Sequence, residues 1–567
     1  MSNASSSTSA TAIDDGKPPA GWTPMIFIGL GVALIIMDAT IVNVILPSII
    51  GNLNINSTDA EWVNAVYSLT FASFLIVMGR LGDRFGRRKI FFLGAVVFGI
   101  SSILAASASS GSLLIAARAV QGIGGAMMSP TSLSIVNALY RGKARAIAFA
   151  LYGSIIGGMA AVGPLMGGWL TQTFSWHWSF WINVPIAALI AFGTWKFVPE
   201  SKAEGDVGAL DYIGAILSSV GIACLIFALI EGRNYGWWNA TTDRTFLGHH
   251  WTTGNISAVA VSFILSAATL TILYVFETRR TRHGKSALID FDLFKIKTFG
   301  LGSFAGLIVS LGEFGILFSL PLFMQSVLGW SALGAGGLLA SLAMGAFVAA
   351  PTAAVLANKR NPRFVTRLGL ALEIVGILGI GLTVSTSVSG WILGLWLFIY
   401  GIGVGYATAQ LTGLILSDIP VEKSGQASGT QSTARQVGAA LGTAILGTIL
   451  FVSLHNNTVD NLAALSSPLD SAITNQIADA VEHSAGTVIP HIASLPFVSP
   501  DQATNVQMAA QSAFSDALKT TGFAAAAFVL LGLIATIALP PGDAHTRGGI
   551  NSADGDSEPA KLVNDFE

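Results

Sequence analysis

Long apolar runs separated by short polar stretches dominate this chain. A helix needs about 20 apolar residues to cross the roughly 30 Å hydrocarbon core of a bilayer. Fourteen runs meet that requirement, near residues 25-47, 62-79, 90-108, 111-137, 145-170, 178-198, 209-230, 255-276, 299-321, 332-356, 364-385, 389-417, 426-453 and 521-540. The pattern therefore predicts an all-α polytopic membrane protein with fourteen spans.

Composition and charge support this prediction. Hydrophobic residues make up 52% of the chain and charged residues only 11%, far from the average of a soluble domain. Lys and Arg collect in the cytoplasmic loops of membrane proteins. With both termini placed inside, 24 of the 29 Lys and Arg residues fall in cytoplasmic segments. The lone cysteine and the tail composition are typical of a bacterial inner membrane, and the net charge of -2 argues against a nucleic-acid partner.

Polar segments complete the outline of the chain. Residues 1-20 and 542-567 are rich in small and polar residues, which predicts disordered cytoplasmic tails. Two long segments, 231-254 and 454-520, fall on the outer side. The second contains "ITNQIADAVEHSA" and "NVQMAAQSAFSDALKTT", whose apolar spacing predicts short amphipathic helices over the outer opening.

Five ionisable residues stand inside apolar runs, where a charge costs several kcal/mol unless it faces a cavity or a partner. They are Asp38, Arg118, Glu313, Glu373 and Arg435. Together they indicate an internal polar pathway. The structural alternative is an acid-arginine pair that only fastens helices together.

Glycines in "GSIIGGMAAVGPLMGG" recur at the spacing that lets helix backbones approach closely. The embedded proline removes a backbone donor and bends a helix. The residues concerned are Gly153, Gly157, Gly163, Pro164, Gly167 and Gly168. A tight, bendable contact suits a moving half of a transporter, and static close packing is the alternative.

Several motifs carry a family resemblance. "GRLGDRFGRRK" places five basic residues and one acid in positions 79 to 89, and it resembles the loop between the second and third spans of the major facilitator superfamily. "RAVQGIGGA" and "GPLMGG" are similar to the motif of the fourth span and to the antiporter motif of the fifth span. "MDATIVNVILP", "WHWSFWINVP" and "GQASGTQSTARQVGAALGTAILG" resemble the fourteen-span branch of drug:proton antiporters. The tenth span lacks the acid that some members of this branch carry, which leaves Glu313 as the second acid after Asp38.

The resemblance implies two six-helix bundles, over residues 21-200 and 299-541, with two additional spans inserted in 201-298. One bundle would rock against the other about a site at the bilayer midplane.

The resemblance also implies roles for the loop motif. Asp83 is expected near the start of the thirteenth span, around Ser424 to Gln426, where a helix N-terminus favours a negative charge. Basic residues would complete a latch that closes the cytoplasmic side. The expected gate residues are Gly79, Asp83, Gly86, Arg87, Arg88 and Arg145.

Taken with the buried acids, the resemblance predicts a proton-coupled exporter of lipophilic, cationic drugs or dyes, with Asp38 and Glu313 as candidate proton carriers. Aromatic residues such as Trp62, Tyr67, Phe314, Phe318 and Phe323 form a pool for substrate contacts. An exporter of an endogenous metabolite, peptide or lipid is the alternative on the same scaffold.

Other functional classes find less support in the sequence. No G-x-x-x-x-G-K-[ST] motif for ATP is present, so we expect no cofactor, and the proton gradient would supply the energy. We expect neither catalytic residues nor a metal site, because the adjacent His249 and His250 are poorly spaced for a closed site. A non-transporting receptor or enzyme is therefore disfavoured. The expected partners of a monomer are the lipid bilayer, protons and a small lipophilic substrate.

Overall fold

The structure is a computed structural model that describes residues 21–53, 55, 57–202, 211–241, 244–246, 249–465, 469–495 and 498–539. The two predicted tails lie outside the described residues. Helices of the first part of the chain are α1 Thr23–Leu53, α2 Ser57–Phe85, α3 Arg87–Ala106, α4 Gly111–Leu139, α5 Gly142–Thr173, the single turn α6 Trp178–Trp181 and α7 Asn183–Phe197.

The middle part of the chain forms α8 Tyr212–Tyr235, β1 Arg244–Phe246, β2 His249–Trp251 and α9 Ala258–Arg282. The last part forms α10 Lys297–Ser326, α11 Ala332–Lys359, α12 Pro362–Thr383, α13 Gly390–Ile415, α14 Ser424–Ala463, α15 Ser471–His483 and α16 Pro500–Ala535. Short 3-10 helices lie at Phe291–Lys295, Val421–Lys423, Ile489–Ser494 and Thr536–Ala538.

Within the described residues, each of the fourteen predicted apolar segments overlaps helical structure, and the segment 178–198 is divided between α6 and α7. Among the described residues, twelve helices are long and apolar enough to cross a membrane, and the two arms of α5 make a thirteenth. α4 is 29 residues long, but Arg118, Gln121 and Asn137 reduce its apolar content. The all-α membrane fold is confirmed, and a fourteenth crossing by α4 stays a prediction. The antiparallel pair of β1 and β2 was not predicted.

Helix starts are set by local sequence. The side chains of Asp211, Ser257, Ser331 and Asn361 each accept a hydrogen bond from a backbone N–H in the first turn of the helix that follows. These side chains satisfy amide groups that have no partner within the helix. Pro362 occupies the first position of α12, where a missing N–H costs nothing.

Two seams join the first and last parts of the chain. In one seam α2 and α4 pack on α14, and in the other α5 packs on α11 and α13. The hairpin of α8 and α9 covers the α2–α14 seam, where Ile76 of α2 and Ala440 of α14 share an apolar core with Ile226 and Leu273. The boundaries of the two six-helix bundles stay a prediction.

One side of the helix bundle collects the ends that carry the basic loops, and we call it the basic side. Contacts there connect the end of α2 to the start of α14, and α12 to the 3-10 turn that follows α16. On the opposite side, α14 and α16 extend well past their apolar stretches. The segment 454–463 of α14, α15, the 3-10 turn Ile489–Ser494 and the segment 500–519 of α16 pack together there as a helical platform.

The amphipathic helix predicted at "ITNQIADAVEHSA", residues 473–485, is confirmed as α15, which begins and ends two residues earlier. The prediction of a separate short helix at "NVQMAAQSAFSDALKTT" is wrong, because that stretch continues without a break into the apolar part of α16. The apolar run marks where a helix can meet lipid. The helix itself is longer than this apolar run. α16 begins at Pro500, where a missing N–H costs nothing.

Candidate functional site

Asp38 and Arg118 form a fully buried ion pair between α1 and α4. Arg118 Nη1 lies 2.5 Å from Asp38 Oδ2, and both side chains are 0% exposed. The other carboxylate oxygen, Oδ1, accepts hydrogen bonds from Gln121 Nε2 at 2.9 Å and from Asn183 Nδ2 at 2.7 Å. Every oxygen of this carboxylate therefore has a donor, as a buried charge requires.

The guanidinium of Arg118 is held on its other faces as well. Its Nε donates to the backbone oxygen of Val63 at 3.2 Å, and its plane lies 4.2 Å from the ring centre of Tyr67. This network connects α1, α2, α4 and α7. It matches the expectation of a pair that fastens helices. Asn183 was not among the predicted site residues, although it belongs to "WHWSFWINVP".

A second buried cluster lies in the last part of the chain. Glu313 in the middle of α10 is 4% exposed, and Glu373 in the middle of α12 is 0% exposed. The hydroxyl of Thr408 donates to Glu313 Oε1 at 3.5 Å. Arg435 of α14 lies within electrostatic range of both carboxyls. The structure thus brings together three of the five ionisable residues predicted at depth.

The two clusters differ in how their acids are satisfied. Within the described part of the chain, both oxygens of Glu373 and the hydroxyl of the buried Tyr400 lack a hydrogen-bond partner. A carboxylate without donors is costly in an apolar interior. The surroundings of Asp38 therefore suit a fixed charge, whereas those of Glu373 suit a carboxyl group that holds a proton.

Asp83 at the end of α2 binds the start of α14, as predicted. Its Oδ1 accepts from the amide of Gly425 at 2.9 Å, and its Oδ2 accepts from the amide of Gln426 at 3.0 Å. Arg87 Nη2 lies 2.8 Å from the same carboxylate and also donates to the backbone oxygen of Val421. The helix N-terminus and the arginine together stabilise the buried charge of Asp83.

Gly79 allows this close contact, and Gly86 ends α2 beside it. A Cβ atom at Gly79 would lie 3.1 Å from the carbonyl carbon of Gly425 and 3.4 Å from Cα of Gly429. Larger side chains would therefore push α2 away from α14. Gly86 has φ of 114°, a conformation that favours glycine, and it separates α2 from α3.

Two other expected members of the latch lie elsewhere. The backbone N–H of Arg88 donates to Glu200 Oε1 at 3.0 Å, and its side chain lies 3.8 Å from the same carboxylate. Arg145 Nη2 contacts the backbone oxygen of Gly413 at 3.5 Å. Of the three arginines that could complete the Asp83 cluster, Arg87 does so, whereas Arg88 and Arg145 have the other partners just named.

Further polar contacts join the latch to its surroundings. The hydroxyls of Ser134 in α4 and Ser428 in α14 lie 2.7 Å apart. Asn137 Nδ2 of α4 donates to the hydroxyl of Ser424 in α14 at 3.1 Å. Gln426 Nε2 donates to the backbone oxygen of Ala287 at 2.8 Å. Lys423 Nζ lies 2.5 Å from Asp290 Oδ2. The linker between α9 and α10 therefore packs against the start of α14 on the basic side.

The glycines of α5 lie at both of its contacts. Cβ atoms at Gly163 and Gly167 would lie 2.8 Å from the backbone oxygen of Met37 and 3.1 Å from that of Ile41, both in α1. On the other side, Gly153 and Gly157 face α13 and α11, while Gly168 has only ordinary contacts with Leu333. The arms Ala144–Met159 and Val162–Thr173 meet at 40° beside Pro164. The predicted bend is confirmed.

The predicted aromatic pool does not converge on one place. Tyr67 and Phe323 are buried in helix contacts, and Trp62 stacks on Phe227 of α8. Phe314 and Phe318 of α10 are partly exposed. A separate apolar groove of about 640 Å³ runs along α11, lined by Ala340, Ala343, Met344, Phe347, Val348, Pro351 and Thr352.

Comparison with known proteins identifies the family. The sequence profile of the Major Facilitator Superfamily matches residues 28–443. The multidrug efflux pump LfrA of Mycolicibacterium smegmatis is 30% identical over 520 residues, which are 90% of this chain and 95% of that protein. The probable actinorhodin transporter of Streptomyces coelicolor is 31% identical over 430 residues, covering 73% of this chain and 70% of that protein.

A solved structure shows the same fold. The human organic anion transporter MFSD10 superposes with a TM-score of 0.56 over 92% of this chain and 100% of that chain, at 14% identity. The chain belongs to the major facilitator superfamily. It is a multi-pass membrane transport protein rather than an enzyme.

Proposed function

We propose that this protein is a proton-coupled efflux transporter that exports lipophilic, cationic drugs or dyes by alternating access. Its relative LfrA is a multidrug efflux pump, which supports export of drugs. The observation that carries proton coupling is the buried pair Glu313 and Glu373, beside Arg435 and without hydrogen-bond donors on Glu373.

Proton coupling needs a carboxyl group that is neutral in one state and charged in another. Two acids near each other in a dry site favour sharing a proton, because two negative charges there repel. In this proposal a cationic substrate or Arg435 neutralises the pair when the proton leaves. Asp38 keeps its charge through Arg118 and holds α1, α4 and α7 together.

Alternating access would use the seams already described. The contact of Asp83 with Gly425 and Gln426 closes the basic side, and it must open when the cavity turns to that side. The bent α5, packed through glycines on both α1 and α11, provides the contact about which the two parts rock.

In this proposal the basic side faces the cytoplasm, because Lys and Arg collect in the cytoplasmic loops of membrane proteins. Both termini would then be cytoplasmic, in the inner membrane of a bacterium. A single chain supplies both sides of each seam, so we propose a monomer that works without a cofactor.

Export of an endogenous metabolite is the second candidate. The relative named for actinorhodin supports it. The sequence of α11 contains no acid: it reads "ALGAGGLLASLAMGAFVAAPTAAVLANK". A dicationic drug would therefore find no negative charge to bind on this helix.

Everted membrane vesicles with an imposed proton gradient test the main proposal. We expect uptake of ethidium by wild type, abolished by a protonophore and lost in Glu313→Gln or Glu373→Gln. Asp292→Asn removes an exposed acid on the basic side and is the matched control. Ethidium transport that persists in both glutamine variants would exclude coupling through this pair. Absence of transport by well-expressed wild type would favour the metabolite exporter.

A further inference from the structure

A cluster of three ligand-type side chains lies on the helical platform, far from the buried acids. His455 belongs to α14, while Asp479 and Glu482 lie one turn apart on α15. His455 Nδ1 is 3.1 Å from Glu482 Oε2 and 3.5 Å from Asp479 Oδ1. One potential ligand atom from each residue lies within 4.8 Å of the other two.

The two distances from His455 Nδ1, 3.1 Å and 3.5 Å, match the edges of a metal coordination shell. Ligand atoms about 2.0–2.1 Å from a tetrahedral zinc ion lie about 3.3 Å from each other. The nitrogen His455 Nδ1 is shielded from solvent, yet it makes no hydrogen bond within the described part of the chain. It lies at ion-pair distance from both carboxylates, nearer to Glu482 than to Asp479, but no hydrogen bond to either one fixes its lone pair.

The platform holds these side chains in place. Ile477 and Val481 of α15 are fully buried in the core that α15 shares with α14 and α16, and so is Leu454, the neighbour of His455. Asp470 caps the start of α15 through the amide of Ala472 at 3.1 Å. A ligand set on packed helices is preorganised, which favours binding.

The ligand types select the class of ion. One imidazole and two carboxylates suit a divalent transition metal such as zinc, and three protein ligands leave one position for water. Asp479 is 59% exposed, which leaves a path for entry. We propose that His455, Asp479 and Glu482 bind one divalent transition-metal ion, zinc in the first instance, and that this ion fastens α15 to α14.

Metal binding to the full-length protein tests the proposal directly. The purified chain in detergent, with any affinity tag removed, would compete with a chromogenic chelator for zinc. We expect one zinc ion per chain, and an affinity at least about tenfold lower in His455→Ala and Glu482→Gln. His283→Ala is the matched control, because His283 is an exposed histidine on the basic side, and its zinc affinity should equal that of wild type.

Cobalt gives a second readout that does not depend on transport. Wild type should show the visible absorption of tetrahedral Co²⁺, and Glu482→Gln should lose it while keeping its thermal unfolding midpoint without metal. Equal zinc affinity in wild type and His455→Ala would overturn the proposal. The cluster would then be a histidine-carboxylate pair only.

Discussion

The amide of Gly425 donates a hydrogen bond to Asp83 across 342 positions of the chain. An acid at the end of α2 thereby caps the first turn of α14, and the two helices belong to opposite sides of a seam. Replacing Asp83 by Asn removes the charge while keeping one acceptor oxygen. The loss of a charged hydrogen bond is worth about 1.5–3 kcal/mol, so the closed state should be weakened roughly tenfold or more.

We therefore expect Asp83→Asn to reach the membrane at normal levels and to export substrate several times more slowly. Dye efflux normalised to the protein in the membrane fraction measures this effect. Asp292→Asn, which changes an exposed acid near the same side, should behave as wild type. Full activity of Asp83→Asn would show that the contact anchors the loop without gating it.

Asp38→Asn should destabilise the protein, because it leaves the buried guanidinium of Arg118 without its counter-charge. Breaking a buried pair in this way costs about 3–5 kcal/mol. Thermal unfolding of the purified protein in detergent should show a lower midpoint. The double variant Asp38→Asn, Arg118→Met should recover part of the loss. An unchanged midpoint in the single variant would contradict a stabilising role of the Asp38–Arg118 pair.

Gly163→Ala should impair both folding and transport. Its Cβ would press on the backbone oxygen of Met37 at 2.8 Å, and overpacking of this kind costs about 1–3 kcal/mol. Gly168→Ala is a matched change in the same motif, with its nearest contact at 3.5 Å, and should be tolerated. Efflux and unfolding midpoint compared for the two variants check this prediction. Equal behaviour would contradict the assigned close contact of α5 with α1.

Phe514→Ala should loosen the helical platform. The ring is fully buried and lies 6.1 Å from the ring of Phe323, centre to centre, so its loss should cost about 3–5 kcal/mol. Met508→Ala, at a half-exposed position of the same helix, is the control. Limited proteolysis of the segment between α14 and α16 should be faster in Phe514→Ala only. Equal cleavage rates in both variants would indicate that the platform does not depend on this ring.

Much of the fold follows from short-range information. The apolar length of each run predicted its helix, and Pro164 beside glycines predicted the bend in α5. The contact of Asp83 with the start of α14 was predicted from a motif, because a carboxylate and a helix N-terminus are complementary in charge. Each of these relationships is encoded within a few residues, or in one recognisable pattern.

Contacts between residues on distant helices were harder to predict from the sequence. Asn183 contacts Asp38 because α7 packs on α1. No spacing in the sequence predicts this contact. Glu373 differs from Asp38 in lacking donors, which depends on every helix around it. The cluster of His455 with Asp479 and Glu482 was missed, since its ligands come from two helices with no motif spacing between them.

Helix α14 has 40 residues without a break, which at 1.5 Å per residue is about 60 Å. Its first turn caps Asp83, its third lies near Glu313 and Glu373, and its distal part carries His455. Such a rod acts as a lever, since one degree of tilt about one end moves the other by about 1 Å. A tilt of α14 at one membrane surface therefore moves its other end at the opposite surface directly, without any other helix having to transmit the motion.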